Sequence, residues 1–223
     1  MLHDALFERA LAWVVRERGE AHLLEARRSF ERATGTIREG AVDYELRISH
    51  FLEQYLCEDP ELAIAAFAEA NDDLGEDQRR ELAGWLRSYR SLFAFAGFGD
   101  DGGLVHDCIG GLALRVWPSE LDRQLAPGER FDGRVVPLGD LLCLSPGRVY
   151  HPREAHEPIR VLLAELAGER LPRPALLDGL LAMRSRYLEF ASIRAEHVYQ
   201  AKAWAGWAAS SSPDARGLIA PRQ

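Results

Sequence analysis

The feature that most constrains this chain is a change of texture near Arg90. Before it, apolar residues recur at helical spacing and glycine is scarce; from Leu92 to Tyr150 short apolar runs alternate with Asp-Gly, Gly-Gly and Pro-Gly pairs. Apolar period and turn chemistry switch together, which predicts a small antiparallel β module set behind a helical region. The fold class read from this pattern is α+β: a helical bundle with an inserted small antiparallel β-barrel, SH3-like or OB-like.

Five helices are predicted before the switch. The first runs from about His3 to Arg18, with Leu6, Ala10, Trp13 and Val14 on one face. Gly19 breaks it, and a second covers Glu20 to Thr34 and stops at Gly35, a plausible left-handed terminator. The clearest follows Asp43, a candidate N-cap, and repeats Tyr44, Ile48, Phe51, Leu52, Tyr55 and Leu56 at helical intervals. Asp59-Pro60-Glu61 reads as a helix start, because proline suits the first turn and acid complements the dipole. The fifth spans about Glu76 to Tyr89 and buries Leu82, Trp85, Leu86 and Tyr89.

In the β module, Asp100-Asp101-Gly102-Gly103 turns Leu92–Phe98 into Leu104–Ile109, and Gly110-Gly111 turns that into Leu112–Trp117. Pro118-Ser119 reads as a helical turn through Leu125. Further strands follow at Arg130–Pro137 and, as a last pair, up to His151. About five short strands avoid raw edges by curling into a barrel. Helix returns over Ile159–Ala167 and then as one long element from about Pro174 to Trp207. That helix is too long for the barrel alone to bury, so it packs back on the N-terminal helices or against another subunit. The expected division is 1–90 helical bundle, 91–152 barrel, 153–208 C-terminal helices and 209–223 a disordered tail.

Composition closes off several classes. No apolar run approaches the ~20 residues that span a bilayer, and Asp4, Glu8 and Arg9 interrupt the apolar stretch a signal peptide needs. Three distant cysteines, Cys57, Cys108 and Cys143, with no CxxC, suggest buried thiols in a reducing cytoplasm, not disulfides or a thiolate zinc knuckle. Net charge is −8, concentrated as −7 over residues 1–90, which disfavours a phosphate backbone as partner. Only Lys202 among 27 basic residues is a lysine, and the arginines are scattered instead of clustered.

Three segments carry a family resemblance: Phe51-Leu52-Glu53-Gln54-Tyr55-Leu56, Trp85-Leu86-Arg87-Ser88-Tyr89-Arg90-Ser91-Leu92-Phe93, and Pro127-Gly128 with Val135-Val136-Pro137-Leu138-Gly139. Over residues 40–155 the chain resembles uncharacterised bacterial proteins with a helical N-terminal region and a small β-barrel, some of which carry a SEC-C zinc motif. That motif is absent here, so the resemblance implies the fold and transfers neither a zinc-mediated role nor a catalytic residue.

The densest group of ligand-type side chains is His151-Pro152-Arg153-Glu154-Ala155-His156-Glu157. His151, His156 and Glu154 are weak candidates for a divalent transition metal, but the i, i+5 spacing does not bring two imidazoles to one helical face as HExxH does. His106-Asp107-Cys108 invites a nucleophile reading; on a strand, however, His106 and Cys108 stand nearly ~7 Å apart, long for a thiol–imidazole bond. Asp107 is better used in the turn before Gly110-Gly111. The run Gly97–Gly103 matches neither a Walker loop nor a dinucleotide fingerprint. Phe93, Phe95, Phe98, Trp117, Phe131 and Tyr150 suit a base-stacking platform with Arg115, Arg130, Arg134 and Arg148, yet a small core needs most of those rings. The sequence therefore assigns no catalytic residue, no cofactor and no metal. It favours a non-catalytic cytoplasmic interaction or adaptor protein, with protein partners or self-association through the C-terminal helix. The alternatives are a nucleic-acid-associated regulator using the barrel, and a metal-dependent or cysteine hydrolase.

Overall fold

A computed structural model describes residues 4–58, 63–117, 125–169, 171–190 and 192–211. Within these the chain is α+β. The first helices are α1 (Asp4–Arg18), α2 (Glu20–Thr34), α3 (Tyr44–Cys57), α4 (Ala63–Ala70) and α5 (Glu76–Arg87). The strands β1 (Tyr89–Gly99), β2 (Gly102–Asp107), β3 (Ala113–Val116), β4 (Arg130–Leu138), β5 (Leu141–Leu144) and β6 (Val149–Tyr150) follow. The chain closes with α6 (His156–Leu166), α7 (Arg173–Glu189), α8 (Ala195–Val198) and α9 (Ala201–Ser211). The expected start at Asp59-Pro60-Glu61, the turn at Pro118-Ser119 and most of the 209–223 tail lie outside the described residues. Among the described residues no helix is long and apolar enough to cross a membrane.

The sheet is antiparallel in the order β3-β2-β1-β4-β5, with β6 added beside β4. It curls, and Trp117, just after β3, makes an isolated parallel bridge to Cys143 of β5, its amide donating to the Leu142 carbonyl at 2.7 Å. The texture switch falls where the sequence places it, although β1 begins at Tyr89, so Tyr89 belongs to the strand and not to the end of α5.

Alternation along β1 and β4 sorts side chains between two environments. Phe93, Phe95, Phe131 and Val135 enter the interior of the curled sheet with Val105, Val116 and Leu144. On the other face Val136 joins the core of α1–α5, and Leu92 joins the core of α6–α9. The same face carries Arg90, Asp132 and Arg134, all buried.

Two further sequence expectations are corrected. The single helix over Pro174–Trp207 is three helices, and α9 turns back along α7. Gly179 makes the contact possible: a Cβ there would come within 2.7 Å of Trp204 Nε1. Trp207 then donates its indole N–H to the Ala33 carbonyl at 2.7 Å, tying α9 to the end of α2. Asp43 stands before α3, yet its side chain caps nothing; its carboxylate is spent on Arg184, 2.5 Å away.

Candidate functional site

The face of β1 and β4 turned to the helices presents a problem in electrostatics. Arg90 stands directly opposite Arg134 in the register, and like charges so placed repel. Asp132, opposite Leu92, resolves it by taking both Arg90 Nε and Nη2, at 2.8 and 2.6 Å. Asp178 of α7 takes Arg90 Nη1 at 2.8 Å, and Glu58 at the end of α3 pairs with Arg134. Burial works against the charge on Arg90, but Asp132 and Asp178 outweigh it and hold its pKa above the ordinary arginine value. The bidentate geometry is what a planar guanidinium provides and an ammonium does not.

α3 supplies the opposite wall. His50 Nδ1 meets the Gly147 carbonyl at 2.8 Å, and its Nε2 lies 3.7 Å from Asp132. Burial, followed by the charge of Arg90, keeps this imidazole neutral, with a pKa well below its usual range. Glu53 accepts from Ser145 Oγ and from the Gly147 amide, each at 2.6 Å. Burial nevertheless pushes the Glu53 carboxyl up to about 7. Gly147 fits against α3 only because it lacks a side chain: a Cβ would stand 2.7 Å from Glu53 Cδ and 2.8 Å from the His50 backbone nitrogen.

Two clefts open along α3 and α7. One, of about 470 Å³, lies above the Arg90 network and is lined by Phe30, Phe51, Gln54, Tyr55, Glu58 and Asp178. In it, His22 Nδ1 and the Tyr55 hydroxyl are 3.0 Å apart. The other, also about 470 Å³, lies between the α2–α3 loop and α7, with Ile37, Val42 and Leu188 as apolar walls and Arg47 and Arg184 as its buried cations. Arg47 Nη1 donates to Ser185 Oγ at 2.6 Å; Nη2 donates to Thr34 Oγ1 at 3.0 Å and to the Gly35 carbonyl at 2.7 Å. Its guanidinium lies 5.8 Å from the centre of the Phe30 ring, and its buried Nε has no hydrogen-bond partner. Burial first, and the nearby charge of Arg184 second, lower the Arg47 pKa to about 10.

The residues singled out from sequence are not gathered into a centre. His156 turns its Nε2 to the His151 carbonyl at 3.1 Å, while His151 points its buried ring at the Tyr199 hydroxyl, 3.3 Å from Nδ1. Glu154 is exposed in the short 3-10 turn Arg153–Ala155. Among the described residues no three His, Cys, Asp or Glu side chains converge as a metal site. Cys108 directs its sulfur to the His106 carbonyl at 3.8 Å, and burial raises its thiol pKa, the opposite of what activates a nucleophile. Asp107 serves the turn, accepting from the Ile109 and Gly110 amides at 3.0 and 2.8 Å. Phe93, Phe95 and Phe131 are core, whereas Phe98 and Trp117 are exposed. The loop Gly97–Gly103 is the β1–β2 hairpin, with Asp101 paired to Arg115.

What sequence reasoning missed is the polar face of α3. Arg47, His50 and Gln54 recur at i, i+3 and i+7, the spacing of one helical stripe, and such a stripe reads as solvated unless another element covers it. In β4, the run Phe131-Asp132-Gly133-Arg134-Val135 carried the matching signal: alternate charges in a strand apolar enough to be central. Compared with family models, curated proteins and solved structures, the chain shows no significant match.

Proposed function

We propose that this is a non-catalytic interaction protein that docks a partner protein over the cleft between the α2–α3 loop and α7. The observation that carries this reading is the state of the rim: Val42 is fully exposed at 108% and Leu188 at 52%, both on the walls of one cleft. Large apolar side chains left in water beside a concave surface are the usual mark of a recognition site. Phe190, the residue that follows α7, is also exposed. The buried ionisable groups fit a scaffold that holds this face: Arg90, Arg134 and Arg184 are each committed to carboxylates of the same chain.

The test is photo-crosslinking in cells from a photoreactive residue substituted for Val42, with Leu104 on the sheet as the comparison position. A discrete adduct of constant mass from position 42 and none from 104 supports the reading, and its mass separates a second copy of this chain from a different protein. Identical or absent adducts at both positions reject it.

A further inference from the structure

We infer that the cleft between the α2–α3 loop and α7 is a carboxylate-binding site in which Arg47 is the anchoring cation. This extends the interaction reading to the chemistry of the partner, an acidic residue flanked by apolar side chains.

Arg47 is 4% exposed, and every acceptor it meets is neutral: two hydroxyls, of Ser185 and Thr34, and the Thr34 and Gly35 carbonyls. A guanidinium held in a low-dielectric site ordinarily faces a carboxylate, because burying a charge without a counter-charge is costly. The two acids whose charge reaches Arg47, Asp43 and Glu31, are engaged with Arg184 and Arg27 instead. The charged walls of the cleft are Arg38, Arg47 and Arg184 against Asp43 and Glu189, and Arg38 and Glu189 pair with each other at 2.6 Å on the outside. Among the residues lining the cleft one positive charge is left over, and it belongs to Arg47, since Glu31 behind it is paired with Arg27.

The groups around that charge are closely packed and hydrogen-bonded. Gly35, at a φ of 90°, leaves no room for a side chain against Ser185, whose Cβ a Gly35 Cβ would approach to 2.5 Å. Ser185 Oγ in turn donates to the Thr34 carbonyl at 2.8 Å. The guanidinium is thus placed before any ligand arrives, and a preformed site spends little entropy on binding. Ile37, Val42 and Leu188 make the remaining walls apolar, so a bare anion satisfies only half of the cleft. The complete ligand has a carboxylate and an aliphatic group a few bonds apart. The competing account is that Arg47 only closes the C-terminal end of α2, whose carbonyls carry the negative end of the helix dipole.

Titration of the isotope-labelled full chain separates the two, with N-acetyl-leucine as the acidic probe and N-acetylleucinamide as its neutral counterpart. The expected result is saturable shifts at Gly35, Ser185 and the Arg47 side chain with the acid, and affinity about tenfold or more weaker for the amide, the scale of a charged hydrogen bond. Arg47→Gln abolishes the difference between acid and amide. Because that variant also disturbs α2, Val42→Asp is the second arm: it adds a competing carboxylate at a fully exposed rim position and weakens the acid without altering the fold. Equal affinities for acid and amide, or no saturable shift with either, overturn the site and leave Arg47 as a helix terminator only. If acid and amide bind equally while crosslinking from position 42 still traps a partner, docking stands and the carboxylate fails. If the acid is preferred and no partner is trapped, the site stands and its ligand is a small carboxylate.

Discussion

Glu53 and Arg90 show how burial sets the terms for single residues. A Glu53 carboxyl raised from 4.5 to about 7 binds its proton more tightly in the folded chain than in the unfolded one. Its contribution is therefore complete below pH 4.5 and is lost as pH rises to about 7, at a cost of about 3 kcal/mol. His50 and His151, both held neutral by burial, act with the opposite sign and lose stability as pH falls below 6.5. Glu53→Gln keeps the shape and removes one of these opposed dependences. Denaturant melts at several pH values should show the variant gaining on the parent by up to about 3 kcal/mol between pH 4.5 and 7; a constant difference would mean that Glu53 does not titrate there. For Arg90, truncation to Met strands Asp132 in the core and should cost about 3–5 kcal/mol. Arg90→Met with Asp132→Leu should cost clearly less than Arg90→Met alone, and the comparison of melting midpoints decides it.

At the scale of elements, the helix–strand switch, the glycine hairpins and most apolar positions of α1, α3 and α5 were legible, because each depends on neighbours along the chain; Leu86 of α5, expected inside, is instead exposed. Gly19 and Gly35 mark the ends of α1 and α2 with positive φ, as their positions in the pattern suggest. The break after Glu189 was not legible: Tyr187, Leu188 and Phe190 continue an apolar pattern, and only the packing of α9 against Gly179 shows why the chain reverses. The candidate cleft was equally hidden. Arg47 looks like any solvated helix residue until α7 lies across it, and Asp43 looks like a cap until Arg184 arrives from 141 residues away. Local signals report local structure, and these sites are made by contacts between distant elements. The reversal has its own expected outcome: Trp204→Ala empties the α7–α9 contact and should cost about 3–5 kcal/mol in urea denaturation. A loss under 1 kcal/mol, taken as roughly a surface effect, would show that α9 adds little.

For the whole molecule, the three cores are not separable. Val136 and Val149 of the sheet and Leu181 of α7 belong to the core of the N-terminal helices, while Leu92 of the sheet belongs to that of the C-terminal ones. The buried polar residues cross the same boundaries, from α3 through β1 and β4 to α7. Helices and sheet should therefore unfold together: far-ultraviolet circular dichroism and tryptophan fluorescence are expected to give coincident denaturation curves. Two resolved transitions would show the sheet to be an independent unit.

The contact between Trp117 and β5 has a different consequence. Neighbouring strands are laced by ladders of paired residues, whereas among the described residues Trp117 and β5 share one isolated bridge. Such a clasp can come undone while every ladder stays intact, so its proton trades with solvent through a small local excursion and not through global unfolding. In a deuterium-exchange experiment the Trp117 amide should lose protection long before those of Phe93 and Phe131. The curled sheet is firm along its ladders and yields first where Trp117 touches β5.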